Sequence, residues 1–357
     1  MADSRRALVV GVTGIAGNNV ATRLVESGWD VHGLSRSGAT PVPGVHPVAA
    51  DILDADAAAA AVARADPTHV FFCTWQRQPT EAENCVVNGA MLRNVLEPLV
   101  GANAQHVALV TGLKHYLGPF EAYAKTPMET PFREEQPRLP GQNFYYTQED
   151  ILFDAADRGG FTWSVHRAHT MIGWALGNLM NMGVTLALYG ALCRETGEPF
   201  VFPGAPQQHD GITDLTDARL LAGQMVWAAT SPDAADEAFN TVNGDVFRWR
   251  QMWPVVANGL GVPVAEYPGH AQPLEQRFAE SAGVWDRIVA KYDLRPNSLE
   301  RIASWWHTDG DLGREAETFA DMNKSRAHGF LDVQDSRRSF LDLFDQLRAE
   351  RIIPPLD

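Results

Sequence analysis

The sequence predicts an α/β fold built on a Rossmann-type doubly wound parallel sheet, with a smaller, mainly helical C-terminal region. Two observations lead there. The first half alternates short apolar runs with stretches of helical spacing, and the first apolar run ends in glycines 11, 14 and 17. A third observation sets the limit of this pattern: from about residue 175 it becomes less regular and mainly helical.

The elements follow in order. "RALVVGVTG" (6–14) reads as a strand entering a glycine turn, and "NNVATRLVESG" (18–28) as a helix stopped by glycine. "WDVHGLSRS" and "HPVAADI" give a second and a third strand. "DADAAAAAVARAD" (54–66) is an alanine-rich helix leading to the buried strand "THVFFCTW" (68–75). A helix over roughly 81–100 precedes a fifth strand, "QHVALVTG". Residues 115–142 carry five prolines and little periodicity, and so long an irregular stretch in a compact domain is usually functional. "YYTQEDILFDAADRG" is then a helix, "TWSVHRAHTMIG" a sixth strand with its loop, and "EAFNTVNGD" a late strand. The expected division is a nucleotide-binding domain over 1–175, joined by further strands from about 200–245, and a substrate-binding region over 176–357.

Composition narrows the function classes. Of 357 residues, 45% are hydrophobic and 20% charged, as in an ordinary soluble domain. A net charge of −15 argues against non-specific nucleic-acid binding, which needs Lys and Arg to meet phosphates. Cys73, Cys85 and Cys193 are odd in number and lack CxxC spacing, which points to a reducing compartment rather than to disulfides or zinc. The apolar run at the start is too short and glycine-interrupted for a signal peptide or membrane span, so a cytoplasmic protein is expected. "QQHDGITD" (207–214) has no metal spacing and reads as a loop.

The spacing Gly11-x-x-Gly14-x-x-Gly17 lies between a strand and a helix, the context of a Rossmann-type dinucleotide turn. Gly11 permits the tight turn, Gly14 the approach of a pyrophosphate, and Gly17 close packing of helix on strand. The second strand ends in Ser35, Arg36 and Ser37, with no carboxylate for a ribose 2′-OH. Arg36 there suits a 2′-phosphate and favours NADP(H), the alternative being a solvated surface charge. Asp51 either hydrogen-bonds the adenine amine or caps a helix.

Many reductases of this design pair a tyrosine with a lysine four residues later, which lowers the phenol's pKa. Here Tyr145 is followed at that position by Glu149, which would raise the pKa if it stood close. Either the tyrosine is not catalytic, or a cation arrives from another element. The chain has only four lysines, and one of them, Lys114, follows the fifth strand in "TGLKHYLGPF". It is the best candidate.

"TGLKHYLGPF", "NFYYTQEDIL", "TWSVHR", "NTVNGDVFRWRQMW" and "MNKSRAHGF" closely resemble the progesterone 5β-reductase/iridoid synthase-like enzymes of the extended short-chain dehydrogenases, over essentially the whole chain. That resemblance implies an NADPH-dependent reductase of activated C=C bonds in enones and enals. It implies Lys114 and Tyr145 as the catalytic pair. Cofactor contacts fall on Gly11, Thr13, Gly14, Ile15, Gly17, Ser35, Arg36, Ser37, Asp51, Ile52, Thr74, Trp75, Thr111, Gly112 and Tyr145. Asn88 matches a structural asparagine that supports the active-site backbone. One departure stands out: Ala168, His169 and Thr170 replace the proline and small loop usual after "HR". Trp75, Tyr123, Thr170, Met182 and Phe330 are candidate pocket walls, and His115 is read as structural rather than as a proton donor. The expected ligand is a small apolar enone or enal, with neither nucleic acid nor membrane as partner and room for a homodimer. A 1,2-carbonyl reductase, an epimerase or dehydratase, and a non-catalytic NADP(H) sensor are the alternatives.

Overall fold

The computed structural model describes residues 5–119 and 129–356. In chain order the strands are β1 (Arg6–Val10), β2 (Asp30–Ser35), β3 (His46–Ala49), β4 (His69–Phe72), β5 (His106–Gly112), β6 (Thr162–Ala168), the short β7 (Met171–Ile172) and β8 (Thr216–Asp217), and β9 (Glu237–Thr241). The first five helices are α1 (Ile15–Glu26), α2 (Ala55–Ala65), α3 (Glu81–Leu96), α4 (Lys114–Leu117) and α5 (Phe144–Gly159).

Two compact units divide the chain. The first comprises 1–169, 218–242 and 320–332; the second comprises 170–217, 243–319 and 333–357. The expected boundary near residue 175 falls close to the first crossover. Residues 218–242 and 320–332 return to the first unit, where β9 completes the sheet beside β6.

The first unit holds one seven-stranded parallel sheet in the order β3-β2-β1-β4-β5-β6-β9. Strand order reverses between β1 and β4, and a crevice opens at the carboxyl ends of the strands at such a switch point. The central strands β1, β4 and β5 are buried on both faces, hence their continuous apolar runs. Val10, Val70, Phe72, Val107 and Leu109 pack with Leu92, Val95 and Leu152 from α3 and α5 in one core. The second unit has its own core, in which the helix Met182–Thr196 is surrounded by Trp249, Trp253, Trp285 and Phe344. Among the described residues no helix is long and apolar enough to cross a membrane.

Local chemistry sets the helix ends that matter for the site. Thr80 and Glu83 form a reciprocal capping box at the start of α3. Asn143 caps α5 by accepting from the Tyr145 N–H at 3.0 Å, and Gly160 ends it in the left-handed region.

Candidate active site

The crevice at the switch point is lined by Gly11, Thr13, Ser35, Arg36, Asp51, Ile52, Thr74 and Trp75. Gly11 adopts φ +84°, and a Cβ there would lie 2.7 Å from Thr74 Cβ, so glycine is required twice over. A Cβ on Gly17 would lie 2.2 Å from the Gly11 carbonyl oxygen, which is how the first turn of α1 comes so close to the turn. Gly14 caps α1 without a side-chain hydrogen bond, and the first turn has no acidic residue. That helix end therefore offers open N–H groups and the positive end of the dipole. Thr13 and Arg36 are exposed at the mouth, whereas Ile15 and Ile52 are buried beneath it. Ser35 donates to the Ala39 carbonyl at 2.9 Å, and Ser37 accepts from the Ala39 N–H at 3.3 Å, so the two serines fold the turn that carries Arg36. Asp51 accepts from the Leu53 N–H at 3.0 Å, and the cap of α2 is Asp54 instead. Thr111 Oγ1 is buried without a partner among the described residues, a donor and acceptor left for a ligand. Uncapped helix end, glycine cradle and basic turn together fit a dinucleotide.

A second cluster lies at the ends of β4 and β5. Asn88 is fully buried and clamps the irregular segment after β4: it accepts from the Gln76 N–H at 2.7 Å and donates to the Gln76 carbonyl at 2.9 Å. Trp75, on that segment, stacks on Phe144 at 5.2 Å between ring centroids. Lys114 opens α4 directly after β5, and its carbonyl accepts from Asn143 Nδ2 at 3.0 Å. Its ammonium sits 4.4 Å from the Phe144 ring centroid, and Phe144 in turn packs 4.4 Å from the Tyr145 ring. Tyr145 extends over the end of β5, where a Cβ built on Gly112 would be 3.3 Å from its hydroxyl. Lys114 and Tyr145 thus converge through Phe144 and Asn143 on one corner of the sheet.

The residue that sequence reasoning missed is Glu81. Its Oε2 accepts from Lys114 Nζ at 2.6 Å and from Asn84 Nδ2 at 3.2 Å, while Oε1 accepts from the Phe144 N–H at 2.7 Å. Locally it reads as one more acidic residue in a first helical turn. Its lysine partner is 33 residues away, so no local pattern announces the pair. The carboxylate that bears on Tyr145 is therefore Glu81 and not Glu149. Burial pushes the Tyr145 phenol well above its ordinary pKa, and Glu81 adds to the effect. The unopposed positive potential expected from Lys114 is offset by the same carboxylate.

Glu149 instead belongs to a buried network. It accepts from Arg138 at 2.8 Å and lies 3.4 Å from both Arg167 and His115. Burial pushes its pKa up, but His115, Arg167 and Arg138 outweigh this and hold it below its usual range. His115 is itself lowered, chiefly by burial, and packs edge-on against Tyr116 and Tyr146. Tyr146 donates to the His115 carbonyl at 2.5 Å, which ties α5 to α4 beside Lys114.

The pocket candidates fare unevenly. Trp75 stands at the site, half-buried. Phe330 is 3% exposed and packs on Trp227 at 5.4 Å. Met182 is 1% exposed in the core of the second unit, for the same reason that large apolar residues usually are. Thr170 donates to Asp311 at 2.8 Å within the second unit. Tyr123 lies outside the described residues. Ala168 continues β6 in register with Gly112 and Thr241, so the strand runs unbroken to the point where the substituted loop begins. His209 stacks on Tyr267, and among the described residues no group of His, Cys, Asp or Glu is arranged to hold a metal.

Sheet order and crevice define a Rossmann-fold protein. Residues 48–354 match the PRISE-like Rossmann-fold domain family, and the chain belongs to that family. It is 42% identical to the (S)-8-oxocitronellyl enol synthase of Nepeta cataria, over 98% of this chain and 93% of that protein. It is 39% identical to the 3-oxo-Δ4,5-steroid 5β-reductase of Arabidopsis thaliana, over 98% and 93%. Among solved structures, the UDP-glucose 4-epimerase of Thermus thermophilus in complex with NAD superposes with a TM-score of 0.66 at 17% identity, covering 96% of this chain and 99% of that one. That likeness speaks to the fold alone.

Proposed function

We propose that the protein is an NADPH-dependent reductase of the activated C=C bond of small apolar enones or enals. The observation that carries this reading is the convergence of Lys114, from the end of β5, with Tyr145, from the first turn of α5, beside the crevice. Relatives named for the synthesis of an 8-oxocitronellyl enol and for steroid 5β-reduction support it.

Gly11, Gly14 and Gly17 would hold the pyrophosphate at the start of α1, and Arg36 would meet the 2′-phosphate. The bound cofactor supplies a hydride for the β-carbon of the enone. Tyr145 donates from Oη to the carbonyl oxygen, on which negative charge develops as the enolate forms. A phenol held protonated by burial and by Glu81 is suited to donating this bond. Such an oxyanion contact is worth about 3 kcal/mol of barrier. Lys114 fixes the end of α5 through its own carbonyl and offers its ammonium to the ribose side of the site. The stacked Trp75–Phe144 pair gives an apolar wall that excludes water from the reacting carbons. Solvent then protonates the α-carbon.

Incubation with NADPH and a small cyclic enone, followed by NMR of the product, tests the reading. A saturated ketone is expected. An allylic alcohol would replace it with 1,2-reduction, and NADPH binding without turnover of several enones would point to a sensor.

A further inference from the structure

We infer that Glu81 is a positioning residue of the reaction, a carboxylate clasp that fixes Lys114 against the start of the Tyr145 helix and balances its charge; this rests on the reading of Lys114 and Tyr145 as the working pair. Glu81 opens α3, yet it does not serve as an ordinary solvent-facing first-turn acid. Thr80 and Glu83 already cap that helix, and the Glu81 side chain is only 11% exposed. Its two oxygens face three donors from three elements: Lys114 Nζ from α4, the Phe144 N–H from α5 and Asn84 Nδ2 from α3 itself. Every neighbour donates, so only a group that accepts on both oxygens satisfies them. An amide of the same shape would turn its NH2 toward at least one donor.

Among the described residues, the charged and titratable groups facing Glu81 are Lys114 from α4 and Tyr145 from α5; Asn84 and the Phe144 amide are neutral. The clasp therefore does two things. It sets where the Lys114 ammonium stands relative to the first turn of α5, and it keeps a carboxylate beside the Tyr145 phenol, so that Tyr145 remains a donor. Removing the carboxylate leaves a buried ammonium unmatched by it and makes the Tyr145 phenolate easier to form.

The test uses the full chain with 13Cζ-labelled tyrosine, the Tyr145 resonance being assigned by Tyr145→Phe. In Glu81→Gln the Tyr145 titration midpoint should fall below that of the wild type. The alkaline limb of kcat/KM for enone reduction should move with it, and kcat should drop about 10- to 100-fold with NADPH affinity little changed. Glu81→Asp keeps the charge but is one methylene shorter; its Tyr145 midpoint should stay near wild type while kcat falls. A folded Glu81→Gln with an unmoved Tyr145 midpoint would overturn the inference. So would Glu81→Asp with full kcat, the variant that decides if Glu81→Gln does not fold. If the wild type reduces no enone, the functional reading fails, and the tyrosine titration still decides the clasp.

Discussion

Glu149 Oε2 accepts a hydrogen bond from Arg138 at 2.8 Å, so the residue four positions after Tyr145 faces away from it into a buried basic pocket. The position where many reductases place a lysine has here become part of the scaffold. Glu149, Arg138, Arg167 and His115 brace α4 against α5, and the Lys114–Glu81 pair sits at the other end of the same brace.

Tyr145→Phe should retain the fold and NADPH affinity while kcat for enone reduction falls about 100-fold, as for loss of one oxyanion donor. Steady-state kinetics and a fluorescence titration with NADPH check this together. Full activity in the variant would remove Tyr145 from the mechanism.

Lys114→Ala strips the partner from a Glu81 side chain only 11% exposed, and should cost about 3 kcal/mol of stability as well as activity. The double variant Lys114→Met with Glu81→Gln removes both charges. It should regain most of the stability in urea denaturation but none of the activity. This contrast separates the structural role of the ion pair from its part in the reaction.

Arg36 should discriminate between the two nicotinamide cofactors. Arg36→Ala is expected to weaken NADPH about 10- to 100-fold, the range for a hydrogen bond to a charged group, and to leave NADH nearly unchanged. Equal losses for both cofactors would return Arg36 to a solvated surface role.

Acid should destabilise the protein well above the carboxylate range. His106 and His166 belong to a buried chain with Ser164 and Gln224, in which each contact is 2.8–2.9 Å. Burial pushes His106 down to about 3 and His166 down to about 4. Their unfolded values lie near 6.5, so below that pH the unfolded chain binds protons that the folded chain refuses. Their stabilising contribution is therefore complete above pH ~6.5 and is lost as pH falls toward 4. By pH 5 each should have lost about 2 kcal/mol, read as a lower urea midpoint than at pH 7.

The parts legible in the sequence were those written locally. The glycine turn, the strand ends and the asparagine on α3 each depend on residues within a few positions of one another, and each lies where its pattern placed it. The alternation of strands and helices gave the parallel sheet, because buried strands and amphipathic helices leave different periods. Illegible were relationships made by the folded sheet. Glu81 meets Lys114 across 33 residues, and Glu149 meets Arg167 across 18, with no spacing to signal either. Met182 and Phe330 are both buried, and a large apolar residue reads the same in the sequence whether it stands in a core or against a pocket.

The most direct test of the account follows the hydride itself. NADPH carrying deuterium on the transferred position of C4 is mixed with the protein and a cyclic enone, and the product is examined by NMR. The account predicts deuterium on the β-carbon of a saturated ketone, at a rate that collapses in Tyr145→Phe. Deuterium on the carbinol carbon of an allylic alcohol, or none transferred to any enone, would contradict it.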